Sequence, residues 1–247
     1  MELECYKKEV MEVAKNVLEV ISKGKSKEIK NGEPLMIEFA RHGENYFNDN
    51  KVKFMVVGRA SGKTKKPHLA VTEYTAEGCS INEKKIEKCF NEYYYETDHL
   101  SWIHRKEENG YIDSKPFFGF SKEIYLGLTG AEDETEWYKN ICYSNLCKVI
   151  CAEEAGNPCE KLKKTQMENG MLKLLKIEID YYKPTHILVL DSASEEHSWS
   201  TKEFKDELRE YVSHQEPKVK ICFSDRPEFR EHKPLKEKVF MEFGEGD

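Results

Sequence analysis

The 247-residue chain has no apolar run approaching the ~20 residues that a membrane-crossing helix needs. Its first residues, Met1-Glu2-Leu3-Glu4-Cys5, lack the basic and apolar regions of an export signal, so a cytoplasmic protein with no membrane partner is expected. Positive charge is in deficit. Lys and Arg number 39 against 46 Asp and Glu, for a net charge of −7. That balance argues against broad, sequence-independent coating of nucleic acid, which relies on many phosphate contacts. It leaves a local basic groove open. Apolar residues make up only 38% of the chain, yet 12 Phe, 13 Tyr and 3 Trp supply ring surface for a packed core, which disordered chains lack. A chain of this mass buries about three quarters of its surface on folding, so it needs no covalent staples. Eight cysteines without an export signal predict free thiols in a reducing compartment.

Periodicity organises what remains. Val10, Val13, Ala14, Val17, Leu18 and Ile21 recur at helical spacing and predict an N-terminal helix over about residues 3–22. Residues Gly32 to Asn50 show no clean period and read as connecting structure. The run Val52-Lys53-Phe54-Met55-Val56-Val57-Gly58 reads as a strand buried on both faces, because its apolar residues do not alternate. Helices are predicted around Glu83 to Tyr95, from Pro116 through Leu128, from Cys159 to Tyr182 and from Thr201 to Val212. Strands are predicted at Ile141 to Asn145, His186 to Leu190 and Val219 to Phe223. Strands alternating with helices imply parallel pairing with right-handed crossovers, and ligands in such sheets bind outside the carboxyl ends of strands. No composition break demands a second domain, so 1–247 reads as one α/β domain, expected to be monomeric.

Those carboxyl ends select the candidate residues. Gly58-Arg59-Ala60-Ser61-Gly62-Lys63-Thr64 approximates a phosphate loop, but position 57 is Val57 where the first glycine is required, and Pro67 blocks the helix that must follow. Nucleoside triphosphate binding is therefore disfavoured, although Gly58 lets a ligand approach the backbone closely. Cys142, Cys147, Cys151 and Cys159 do not have the short paired spacings of zinc or iron–sulfur ligands and read as core thiols. No cofactor or metal is implied. Phe117-Phe118 offers either a core pair or a ring on which a flipped base stacks. Asn145, at a strand end, carries a donor and an acceptor that match a nucleobase edge, or else satisfies a turn. Arg226 follows the last strand, where it meets a phosphate or carbonyl oxygen or simply faces solvent. Lys63, Lys65 and Lys66 add positive charge that suits a phosphate-bearing ligand.

The order of these segments resembles a bacterial branch of the uracil-DNA glycosylase superfamily. It comprises the strand with its Gly58-Arg59-Ala60 loop, Asp98-His99-Leu100-Ser101-Trp102-Ile103, Ser114 to Phe118, Tyr143-Ser144-Asn145-Leu146-Cys147-Lys148, Ala155-Gly156-Asn157-Pro158, Gln166, Ile177-Glu178-Ile179 and Lys183-Pro184. The likeness spans roughly Val52 to Arg226. It implies a three-layer α/β/α fold around a central, mainly parallel four-stranded sheet, and DNA or a nucleobase-containing ligand as partner. Carried over residue by residue, it places the water-activating loop at Arg59 to Ser61, with Gly58 and Ala60 around the scissile bond. It also places base stacking at Phe117 or Phe118, base reading at Asn145, and stabilisation of the departing base anion at Arg226. Two departures stand out. Arg59 to Thr64 holds no Asp or Asn to activate water, and Arg226 replaces the usual histidine, keeping the charge but not a proton to shuttle near neutrality. The alternative is a catalytically inactive nucleotide or nucleic-acid binding module on the same fold.

Overall fold

The N-terminal apolar stripe folds as helix α1 (Leu3–Lys23) in a computed structural model of the chain. The structure describes residues 1–23, 34–60, 67–75, 78–94, 100, 103, 116–132, 135–152, 158–192, 197–228 and 231–244. The chain traces two compact units, each assembled from three stretches. Met1–Ala40, Arg59–Glu96 and Asn145–Tyr181 form the first, and Arg41–Gly58, Thr97–Ser144 and Tyr182–Asp247 form the second.

In the first unit, α1 buries Tyr6, Val10, Val13, Ala14, Val17, Leu18 and Ile21, the stripe that its sequence spacing predicts. Burying each of its larger apolar side chains contributes about 1.5–3 kcal/mol. Helix α2 (Glu83–Tyr94) turns Ile86, Cys89 and Phe90 inward, and Tyr6 packs between Phe90 and a stacked Tyr181 with ring centroids 4.0 Å apart. Residues 32–50, expected to be connecting structure, contain strand β1 (Leu35–Ile37), which is buried throughout and so shows no alternation to read. It pairs antiparallel with β7 (Val149–Cys151). A hairpin of β4 (Thr72–Thr75) and β5 (Gly78–Ile81) joins it where the Leu35 amide donates to Thr72 Oγ1 at 2.8 Å. The helix expected from Cys159 to Tyr182 is two helices, α4 (Glu160–Glu168) and α5 (Met171–Tyr182). Gly170 breaks it with a φ of +135°, a backbone conformation that side-chain-bearing residues rarely adopt.

The second unit holds a five-stranded sheet in the order β2-β6-β3-β8-β9. Its members are β2 (Arg41–His42), β3 (Phe54–Gly58), β6 (Ile141–Asn145), β8 (His186–Asp191) and β9 (Lys220–Asp225). β3, β8 and β9 are mutually parallel, while β2 adds a short antiparallel edge, so the sheet has one strand more than expected. Phe54 and Val56, Leu188 and Leu190, Ile141 and Tyr143, and Cys222 point to one face. There they pack with Phe118, Phe120 and Ile124 of α3 (Pro116–Thr129) and Val239 and Phe243 of α7 (His232–Phe243). Phe223 points to the other face, where Arg209 of α6 (Lys202–Ser213) lies 4.8 Å over its ring. Helices thus cover both faces, giving an α/β/α layering. Helix α6 starts at Thr201, whose hydroxyl accepts from the Phe204 amide at 3.2 Å. The turn after β2 needs Gly43, because a Cβ there would lie 2.2 Å from the Lys139 backbone. Among the described residues no helix is long and apolar enough to cross a membrane.

Candidate functional site

In the first unit a buried polar cluster forms around the end of β6. Asn145 is its last residue, 5% exposed, and its Nδ2 donates to Glu38 Oε2 at 3.3 Å. Glu38 is held by its backbone. The β1–β7 register pairs Ile37 with Val149, so the next residue falls opposite Lys148, and the Glu38 amide donates to the Lys148 carbonyl at 2.9 Å. The Lys148 side chain turns to Glu178 of α5, with Nζ 2.8 and 2.9 Å from the two carboxylate oxygens. Glu178 also accepts from the Ala40 amide at 3.1 Å, so its charge is both countered and hydrogen-bonded inside the protein. Gln166 of α4 completes the cluster, donating to the Val149 carbonyl at 3.0 Å and accepting from the Val149 amide at 2.9 Å. The side chain of Gln166 thus acts as one rung of a sheet ladder.

Arg59 contributes its carbonyl to the same unit, accepting from the Cys147 amide at 2.8 Å. Ala60 follows it in the described backbone, while Ser61, Lys63, Lys65 and Lys66 lie outside the described residues. So do Asp98, His99, Ser114 and Ala155 to Asn157.

In the second unit the parallel strands bring Gly58, Asp191 and Asp225 to one carboxyl edge. Asp191 is nearly saturated there. It accepts from Ser198 Oγ at 2.5 Å, Ser200 Oγ at 2.7 Å, the Ser200 amide at 2.9 Å and the Trp199 amide at 2.8 Å. Burial pushes the Asp191 carboxyl up, but these donors outweigh it and hold it below the usual carboxylate range. Asp191 therefore shapes the turn into α6 and is poorly suited to accept a proton. Beside it, Ser192 Oγ donates to Asp225 Oδ1 at 3.0 Å, and the buried Lys205 ammonium donates to the Ser192 carbonyl at 2.8 Å.

Arg226 leaves the same edge partly exposed and pairs with Glu228, two residues on. Its Nε has no hydrogen-bond partner among the described residues, nor does the fully buried Ser224 Oγ. Phe118 belongs to the core, whereas Phe117 is half-buried against it, edge-on to Tyr143 at 5.9 Å and 89°. Of the two rings, Phe117 is the one with surface left to offer a ligand. Of the four clustered cysteines, Cys142, Cys147 and Cys151 are buried thiols, as core packing predicts, whereas Cys159 is only half-buried at the start of α4. No group of three metal-ligating side chains occurs among the described residues.

Sequence reasoning missed Glu38, Lys148 and Glu178 as a group. The signal was present: Glu38 stands between Leu35-Met36-Ile37 and Phe39-Ala40, and Glu178 between Ile177 and Ile179. A charge so flanked is buried with its strand or helix and must find a partner. No protein-family model matches the chain, and no curated protein is significantly similar to it in sequence.

Proposed function

We propose that the protein is uracil-DNA glycosylase-like and hydrolyses the N-glycosidic bond of uracil or a damaged base in DNA. Asn145 carries this reading. It is a buried carboxamide at a strand's carboxyl end, its amide nitrogen held by a carboxylate, so its donor and acceptor are presented in a fixed order. The layered, mostly parallel sheet supports the reading at the level of fold. Cleavage breaks the C1′–N bond, leaves the electron pair on the base, adds the hydroxyl of a water at C1′, and passes that water's remaining proton through solvent to the base anion. Arg226 is assigned the base anion, Phe117 or Phe118 the stacking, and Gly58, Arg59, Ala60 and Ser61 the surroundings of the bond, as the resemblance implies.

A second reading, a binding module without catalysis, is favoured by the state of Asp191. A carboxylate that activates water must accept a proton, and Asp191 is committed to four donors. Base release from labelled oligonucleotides carrying uracil, hypoxanthine or xanthine, at low ionic strength, separates the two. Release that disappears in Asn145→Ala establishes the glycosylase. Uracil binding without release, lost in the same variant, establishes the module, and neither release nor binding overturns both. A double-mutant cycle between Asn145→Ala and Phe117→Ala then shows whether the two side chains act on one base.

A further inference from the structure

We infer that Glu38 is a positioning residue that sets which base Asn145 accepts, by fixing the orientation of its carboxamide; the inference rests on Asn145 reading a base. A carboxamide is nearly symmetric in shape but opposite in chemistry at its two ends, so a half-turn about χ2 exchanges a donor for an acceptor. Here Glu38 Oε2 accepts from Nδ2 at 3.3 Å, which turns the nitrogen end of the carboxamide toward Glu38 and the oxygen end away from it. Glu38 is itself fixed. It is 2% exposed, and its backbone extends the β1–β7 ladder through the Lys148 carbonyl.

The base edges differ in the same sense. Uracil presents the O4 acceptor beside the N3–H donor. Cytosine presents the N4 amino donor beside the N3 acceptor. One carboxamide orientation pairs with the first and its half-turn with the second. By locking a single orientation, Glu38 makes Asn145 discriminate a lactam edge from an amino-pyrimidine edge of the same size. Asn145 without Glu38 has the same atoms and loses the discrimination.

The test uses the full-length protein and single-stranded oligonucleotides carrying one deoxyuridine, or one deoxycytidine in a background otherwise free of pyrimidine targets. Binding and base release are both read. Glu38→Gln, whose own amide can donate or accept, is expected to lower the uracil-to-cytosine preference about ten-fold or more, the scale of one mispaired bidentate contact. A merely structural role weakens both bases equally and leaves the ratio unchanged, which overturns the inference while the reading of Asn145 stands. Wild-type protein whose binding is indifferent to Asn145→Ala overturns both. Should Glu38→Gln not fold, the wild-type side-chain amide resonances carry the test. A Nδ2 proton bonded to a buried carboxylate exchanges slowly and is shifted downfield of its geminal partner, and two ordinary, fast-exchanging protons overturn the inference.

Discussion

Lys148 and Glu178 show what a charge inside the protein requires. Both side chains are essentially fully buried, at 1% and 0% exposure, and each has lost its hydration. Their mutual attraction and the Ala40 amide offset that loss only while both are present. Lys148→Met leaves Glu178 without its counter-charge and is expected to cost about 3–5 kcal/mol in urea unfolding. Lys148→Met with Glu178→Leu is expected to recover most of it, short of the about 1–3 kcal/mol for the unmet Ala40 amide. A loss below about 1 kcal/mol in the single variant would show that water reaches the pair. Arg226 and Glu228 are the contrast. They are 34% and 26% exposed, so their pairing contributes little to stability, and Arg226 can change partners at low cost.

At the scale of elements, the break between α4 and α5 is the sharpest local requirement. Gly170 combines a φ of +135° with a position where a Cβ would lie 2.8 Å from Val17 Cγ2 and 3.2 Å from Val13 Cγ1. Gly170→Ala therefore incurs both backbone strain and overpacking against α1, about 2–4 kcal/mol together. A fall in melting temperature of roughly 5–15 °C by far-UV circular dichroism is expected; a fall under about 2 °C would show that α1 yields. The same break explains what sequence reading could and could not reach. Residues 160–182 hold no proline and are rich in helix formers such as Leu, Met, Lys and Glu, so the sequence reads as one helix, and only the conformation of Gly170 divides it. α1, β3, β8 and β9 were legible because their apolar residues outnumber any competing pattern. β1 and β2 were not, since two or three residues cannot establish a period. α7 was hidden by Pro234, which is tolerated because it falls in the first turn, where its amide has no helical partner. Asn145 was readable as a strand end, but its bond to Glu38 joins residues 107 positions apart and belongs to the fold alone.

The molecule as a whole is constrained by how its chain is shared. Each unit is built from three stretches, so the chain crosses between units at Ala40, Gly58, Glu96, Ser144 and Tyr181. Unfolding the first unit alone would turn 59–96 and 145–181 into slack loops that the folded second unit must still close. Closing a loop of roughly forty residues costs about 3 kcal/mol, so the second unit is weakened as soon as the first is lost. The two are therefore expected to unfold together. In a Trp102→Phe background the remaining tryptophans allow this to be measured, because Trp137 and Trp199 both belong to the second unit. Tryptophan fluorescence then reports one unit and far-UV circular dichroism reports both. In urea, the two transitions should coincide, and Gly170→Ala, a change in the first unit, should move the fluorescence midpoint by the same amount as the dichroism midpoint. A dichroism change that precedes the fluorescence change, with the fluorescence midpoint of Gly170→Ala unmoved, would show that shared chain does not couple the units. Asn145 and Glu38 would then sit in a unit able to open on its own.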